Sequence, residues 1–503
     1  MAASGMWQHA IMCRRRLIAT STSITNTTRA IRSNSRRCAF SSSNDGKPNS
    51  IFLSPSEAGQ AAYDIRQLES SEKEEDTLCN METLLSHAGL SHAAGNGSSN
   101  NWNAPLCPPI ELATTWERPP NGEYGADSYI YSRAKNPTRA NLEETLAQLE
   151  GGGMAAAFSS GMAASAALIL AHEAPLTVLL PHDVYHGVPT ALHTVLEKHN
   201  VQHKSVRMTK PSTGSNDGND GDEYLDILQE SIIQVLEQEQ RNVVLWIETP
   251  SNPLCDVADI SAICRRIEQI RNSSLTKQTI TTVVDSTWAP PLITQPLLLG
   301  ADAVVHSGTK YLGGHSDVLL GLVVCSKSSM ETLGTQVRQV QIALGAVASP
   351  LDSWLTLRGM RTLHVRLERQ CRNALSLAEF LYNHPLVSAV HYPGLPSHSH
   401  HGVASRQMKN DMYGGMLSFE MENESMAMAV AGALQIIRRA TSLGGTETLI
   451  EHRASIEPVG RVTSPPGLLR MSVGLEHVHD LKDDLDQALR IAHQVVPAQP
   501  KST

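Results

Sequence analysis

Two short stretches place complementary ionisable groups at the ends of apolar runs. "VVHSGTKYLGGHSDV", Val304 to Val318, sets Lys310 between the hydroxyl residues Ser307 and Thr309, just ahead of a Gly-Gly-His turn, and "TTVVDST" ends in Asp285. If both runs are strands of a parallel sheet, the carboxylate and the lysine arrive at the same edge, where such sheets keep their ligands. Each residue has an ordinary alternative, a solvated lysine and a helix-capping aspartate. "GGGMAAAFSSGMAASAALIL" puts Ser159, Ser160 and Gly161 before an alanine-rich segment, so backbone N–H groups at a helix start could hold a phosphate. It is not a Walker loop, because no Lys-Ser/Thr follows the glycines, and a packing turn is the alternative.

"PHDVYHGV" places Tyr185 just past another apolar run, where its ring could stack on a planar ligand, and "WIETPSNPL" places Glu248 and Asn252 past a third. An ordinary half-buried tyrosine and an Asn-Pro turn are the alternatives. Taken together, a phosphate pocket, an aromatic face, an acid and a lysine at strand ends are what pyridoxal phosphate requires. The lysine attaches covalently to the cofactor aldehyde, the acid keeps the pyridine nitrogen protonated, and helix-end amides with hydroxyls hold the phosphate.

The elements that would position these groups are legible as a pattern. The runs Leu176 to Pro181, Val243 to Glu248, Ile280 to Ser286, Ala301 to Gly308 and Leu322 to Lys327 are continuous rather than alternating, which suits strands covered on both faces of a mostly parallel α/β sheet. After Leu355 the texture changes. One long amphipathic pattern, "LTLRGMRTLHVRLERQCRNALSLAEFLYNH", precedes isolated strand-like segments and the helix "DLKDDLDQALRIAHQV", the pattern of a smaller α+β domain. The expected organisation is a leader at 1–45, an N-terminal arm at 46–110, a large α/β domain at 111–355 and a C-terminal α+β domain at 356–503. "KPSTGSNDGNDGDE", Lys210 to Glu223, reads as a solvated insertion.

Charge is segregated along the 503 residues. The first 40 carry seven arginines and no acid, which leaves −16 on the rest of a chain whose net charge is −9. An acidic body argues against a nucleic-acid partner, and no run of about 18 apolar residues suggests a membrane span. The Arg- and Ser-rich start, with "RRCAFSS", has the composition of an organellar transit peptide, mitochondrial first and plastid second. The eight cysteines form no CxxC pair, so neither a disulfide framework nor a zinc site is expected. His398, His400 and His401 in "LPSHSHH" lack the spacing of a rigid ligand set, and no metal is expected there either.

From "METLLSHAG" at Met81 to the C-terminal helix the chain resembles the pyridoxal-phosphate enzymes of cysteine and methionine metabolism, the transsulfuration family. The resemblance implies the type I fold of pyridoxal-phosphate transferases, with a mostly parallel seven-stranded sheet and a smaller C-terminal domain. It also implies that Tyr131 and Arg133 in "YSRAKNPTR" reach a neighbouring subunit's cofactor phosphate, and that Gly161 and Met162 lend that phosphate their amides. Tyr185 would stack and shuttle protons, Asn252 would touch the pyridine 3'-oxygen, and Asp285 would pair with the pyridine nitrogen. Thr287, Ser307 and Thr309 complete the cofactor set, Lys310 is the covalent anchor, and Ser442 in "SLGG" and Arg470 in "LLRMSVGLE" receive the substrate carboxylate.

A homo-oligomer follows, at least a dimer and usually a tetramer of dimers, acting on a small sulfur amino acid. The expected reaction is that of a cystathionine γ-lyase, giving cysteine, 2-oxobutanoate and ammonia. Cystathionine γ-synthase is the alternative, with β-lyase and methionine γ-lyase behind it. The intact Asp285, Lys310 and Arg470 argue against a catalytically inert cofactor-binding relative. The family pattern is departed from at Ile130 and Thr441, where acids are usual, and at Arg453-Ala454, which replaces Pro-Ala after "EH". These departures fall on the substrate pocket rather than on the cofactor set.

Overall fold

The computed structural model describes residues 80–89, 106–125, 128–210, 223–273, 277–457 and 464–496. The expected leader, most of the expected arm and nearly all of the polar insertion lie outside them. All five continuous apolar runs form strands, and their burial explains why: all five residues of β2 (Leu176–Leu180) are buried, as are six of the seven in β4 (Asn242–Glu248). With β1 (Met154–Phe158), β3 (Val201–Ser205), β5 (Ile280–Asp285), β6 (Ala303–Ser307) and β7 (Gly321–Cys325) they make a seven-stranded sheet in the order β1-β7-β6-β5-β4-β2-β3. Only β7 runs against its neighbours, so the other six strands point their carboxyl ends the same way.

Two strands are not legible as apolar runs. β1 is the alanine stretch "MAAAF", a composition with little strand preference, held by its register against β7, in which Ala156 faces Val323. β3 is an edge strand whose Gln202 and His203 face solvent. The turn after β1 leads into helix α1 (Gly161–Leu170), capped by the Ser160 hydroxyl, which accepts the Ala163 N–H at 3.1 Å.

The long amphipathic pattern divides into two helices, α2 (Pro350–Met360) and α3 (Leu363–Tyr382). The break has a physical cause in Arg366. Its buried guanidinium donates to the Gly359 carbonyl (2.8 Å), to the Tyr311 carbonyl (3.0 Å) and to the Thr362 hydroxyl (3.2 Å), bracing a turn in which the Gly359 carbonyl also accepts the Thr362 N–H at 3.2 Å. The expected division between residues 355 and 356 falls inside α2. Farther on, β8 (Ala389–His391), β9 (Met416–Glu420), β10 (Arg438–Arg439), β11 (Leu449–His452) and β12 (Leu468–Ser472) form a second sheet in the order β10-β11-β12-β9-β8, backed by helix α4 (Val478–Val495). Leu363, Leu367 and Cys371 of α3 belong to the core of the large sheet, while Ala374, Leu377 and Leu381 belong to that of the small one. No helix among the described residues is long and apolar enough to cross a membrane.

Because Arg366 holds the backbone beside Lys310 and both helix ends, Arg366→Met is expected to cost about 1–3 kcal/mol, through the buried Tyr311 carbonyl left without its donor. Urea unfolding of the cofactor-loaded protein measures it.

Candidate active site

The strands β4, β5 and β6 end together. Their register sets Glu248 against Asp285 and Asp285 against Val305, so Glu248, Asp285 and Ser307 close their strands at one edge. Thr287 ties two of these ends: its N–H donates to Asp285 Oδ1 at 3.0 Å and its hydroxyl accepts the Ser307 N–H at 2.9 Å. Thr309 fixes the turn that follows, its hydroxyl accepting the Leu320 N–H at 2.9 Å. Lys310 then projects from this turn, and its Nζ donates to Ser442 Oγ at 3.0 Å.

The "SLGG" loop comes from the small domain and lies directly on the lysine's backbone. A Cβ on Gly444, whose φ is +76°, would stand 2.7 Å from the Tyr311 nitrogen, so only glycine fits. Ser442 itself has φ +145°, a conformation that a serine rarely adopts and that marks a constrained functional position. Arg470, buried on β12, donates from Nη1 to Asn252 Oδ1 at 3.1 Å, closing the cleft between the two domains. It stands in the middle of its strand.

A cavity of about 500 Å³ opens between these groups, within the range of small-molecule sites. Lys310, Asp285, Thr287, Ser307 and Thr309 line one side. Gly161 and Met162, at the start of α1, line another, and Tyr185, Asn252, Ser442 and Arg470 complete it. Tyr185 is 41% exposed and stands at the mouth, in space kept free by Gly187, where an added Cβ would lie 2.4 Å from the tyrosine ring.

Burial sets the electrostatics. It pushes the Lys310 amine below the ordinary lysine value, and Arg470 adds to the effect. It pushes the Asp285 carboxyl up, against the hydrogen bonds from Thr287. Glu248 is pushed well up by burial and then by Asp285, and it accepts the Tyr185 N–H at 2.8 Å.

These residues fit pyridoxal phosphate. The buried Asp285 carboxylate can pair with a protonated ring nitrogen, Lys310 has the lowered basicity of a lysine that reacts with an aldehyde, and the amides that open α1 face the cavity as a phosphate cradle. Two residues expected at the cofactor are not brought to this cavity. Tyr131 is 49% exposed, and Arg133 stacks near its ring while Nη1 donates to the Ile342 carbonyl at 2.7 Å. Thr441 lines the cavity, whereas Ile130 is exposed outside it.

The three histidines of "LPSHSHH" have local partners. His400 meets Asp256 through Nδ1 at 3.1 Å and the Lys210 carbonyl through Nε2 at 2.9 Å, so both ring nitrogens are engaged. His398 adds a third possible ligand beside Asp256 and His400. His401 turns instead to the Pro393 carbonyl at 2.8 Å. The residues that sequence reasoning passed over are Gly187 and Arg453. The first shows no local signal, and the second was visible only as a departure from the family pattern.

With Arg470 helping to lower the Lys310 pKa, cofactor uptake by the cofactor-free protein is expected to quicken with pH through a midpoint below the ordinary lysine value. Arg470→Met moves that midpoint upward. Absorbance after mixing with pyridoxal phosphate at a series of pH values measures both, and an unshifted midpoint in the variant would uncouple the two residues.

Residues 91–490 match the family described as Cys/Met metabolism PLP-dependent enzyme. The chain is 40% identical over 367 residues to a cystathionine gamma-synthase of Mycobacterium tuberculosis, covering 72% of this chain and 86% of that protein. It is 36% identical over 417 residues to a cystathionine beta-lyase of Coxiella burnetii, covering 81% and 97%. The crystal structure of cystathionine gamma synthase from Xanthomonas oryzae pv. oryzae in complex with aminoacrylate and cysteine superposes with a TM-score of 0.72 at 34% identity, covering 84% of this chain and all of that one.

Proposed function

Since the chain belongs to the Cys/Met metabolism PLP-dependent enzymes, we propose that it performs transsulfuration at the γ-carbon, in the sense of a cystathionine γ-synthase. It is a pyridoxal-phosphate-dependent enzyme of the carbon–sulfur lyase or γ-replacement type. In the proposed reaction an O-activated homoserine loses its activating group as the acid, and the cysteine sulfur takes its place on the γ-carbon. The thiol proton leaves with the acid. The observation that carries a reaction at amino-acid carbon is Lys310: a half-buried amine held by Ser442 and facing, across one cavity, both Asp285 and Arg470.

Bound pyridoxal phosphate supplies an electron sink for the substrate's α-carbon. Asp285 would hold the ring nitrogen protonated, Tyr185 would cover the ring, and Gly161, Met162, Ser307 and Thr309 would hold the phosphate. Arg470, already oriented by Asn252, would receive the α-carboxylate as a bidentate pair. Lys310 would carry protons between neighbouring carbons, a task suited to an amine whose lowered basicity brings it nearer the working pH.

The γ-synthase reading is supported by the names of the Mycobacterium relative and the Xanthomonas structure. Cystathionine γ-lyase, the reaction first expected from the motifs, uses the same residues and differs in having no thiol to capture the intermediate. The β-lyase relative keeps a third outcome in view. Product analysis separates them: cystathionine formed from cysteine plus activated homoserine is the expected result. 2-Oxobutanoate released from cystathionine would replace it with the lyase reading, and pyruvate with β-elimination.

We also propose that two subunits share each site, on the support of Tyr131 and Arg133 lying outside their own cavity. Mixing two inactive variants, Lys310→Ala and Arg133→Ala, is then expected to restore activity, because mixed dimers contain one intact site. No recovery after subunit exchange would place each site within a single chain. The acid-free, arginine-rich start supports an organellar address, mitochondrial before plastid.

A further inference from the structure

We propose that Arg453 is a specificity-determining residue that binds a second anionic group, a carboxylate or phosphate, at the far end of the amino-acid substrate while Arg470 holds the α-carboxylate. The inference rests on the transsulfuration reading, whose activated homoserines and thioether product include molecules with such a tail.

The small-domain sheet sets the spacing. Glu451 of β11 faces Arg470 of β12, and the Arg453 N–H donates to the Leu468 carbonyl at 3.3 Å, carrying the ladder one residue past β11. Arg453 therefore stands two residues from Glu451, on the face that Arg470 shares, as its diagonal cross-strand neighbour at roughly 7–8 Å between backbones. Both arginines line the same cavity as Lys310.

Arg453 is unusual in what it lacks. It is 6% exposed, and its Nε has no hydrogen-bond partner among the described residues. Its ion pair with Glu457 is 3.8 Å long, beyond hydrogen-bond reach, and the Glu457 carboxylate is engaged by the Ser464 N–H at 3.2 Å and by the Ser464 hydroxyl. A buried guanidinium nitrogen without a hydrogen bond is costly, and a planar bidentate anion is the ligand a guanidinium is shaped to take.

Its charge reaches the cavity. After burial itself, Arg453 is the largest influence lowering the pKa of both His186, which also lines the cavity, and Arg470, the latter to about 10. The two guanidinium groups, diagonal to each other in a buried cleft, repel each other against the opposing pull of Glu451 on Arg470, and a ligand with an anion at each end relieves the repulsion at both. A substrate with a neutral tail satisfies only Arg470.

The test uses the holoenzyme and four substrates: O-succinylhomoserine and O-phosphohomoserine, with anionic tails, cystathionine, whose tail carries a carboxylate beside an ammonium, and O-acetylhomoserine, with a neutral tail. Arg453→Met is expected to raise KM about 100-fold for whichever anionic-tailed substrates the wild type accepts, the scale of losing a buried charge-assisted contact, with kcat and the O-acetylhomoserine constants little changed. The pattern across the three tails tells carboxylate from phosphate. Arg453→Lys, which keeps the charge without the fork, should recover part of the loss, and an unchanged cofactor absorbance shows that the variants are folded.

Equal losses on neutral and anionic tails, or no loss on either, would overturn the assignment. Calorimetry with glutarate, and with acetate as the one-carboxylate control, reads the same residue without turnover, and Arg453→Met should weaken only glutarate. If the wild type turns over none of the four substrates, the transsulfuration reading fails, and the glutarate titration still decides Arg453.

Discussion

The site depends on a lysine kept half-buried without an acidic partner. Lys310 shares a cavity with Asp285 and Glu248, yet its hydrogen bond goes to Ser442, and no ion pair to either acid forms among the described residues. Collapse into such a pair would fix the amine as a cation and occupy the carboxylate that a ring nitrogen needs. Separation is enforced from three sides: strand register places Asp285 one strand away, Thr309 clamps the turn onto Leu320, and Arg366 grips the Tyr311 carbonyl. The constrained Ser442 backbone is part of the same arrangement, since it brings a hydroxyl to Nζ from the other domain.

The two domains contribute in different currencies. From the parallel sheet come strand ends and a helix start, groups fixed by backbone hydrogen bonding and suited to a rigid cofactor. From the antiparallel sheet come Arg470, Arg453 and the "SLGG" loop, long side chains and a turn suited to reading a flexible substrate. The Arg470–Asn252 hydrogen bond joins the two sets, so the group that would orient the substrate is itself oriented by a residue beside the cofactor.

Much of this was legible in the residues. Continuous apolar runs announced β2, β4, β5, β6 and β7 because both faces of the sheet are covered, and strand-end logic alone put Asp285 and Lys310 together. Ordered motifs supplied Ser442 and the role of Arg470, which no local pattern could. The missed elements share a cause, in that tertiary contact outweighed local preference. β1 is alanine-rich and becomes a strand by pairing with β7, and the single long helix divides because one arginine braces the turn at the break. Arg453 was visible as a substitution, but its burial, and an Nε without a hydrogen-bond partner among the described residues, exist only once β11 and β12 are paired.

Helix α3 passes from one hydrophobic core into the other without a break, giving Leu363, Leu367 and Cys371 to the first and Ala374, Leu377 and Leu381 to the second. A linker of this kind cannot melt at one end alone without stripping apolar surface from its neighbour. The two sheets therefore behave as one cooperative body rather than as modules on a hinge. Its first turn also carries Arg366, so loss of that body takes the position of the reactive amine with it. Enzyme variants that keep the cofactor's colour on heating are thus expected to keep both sheets folded.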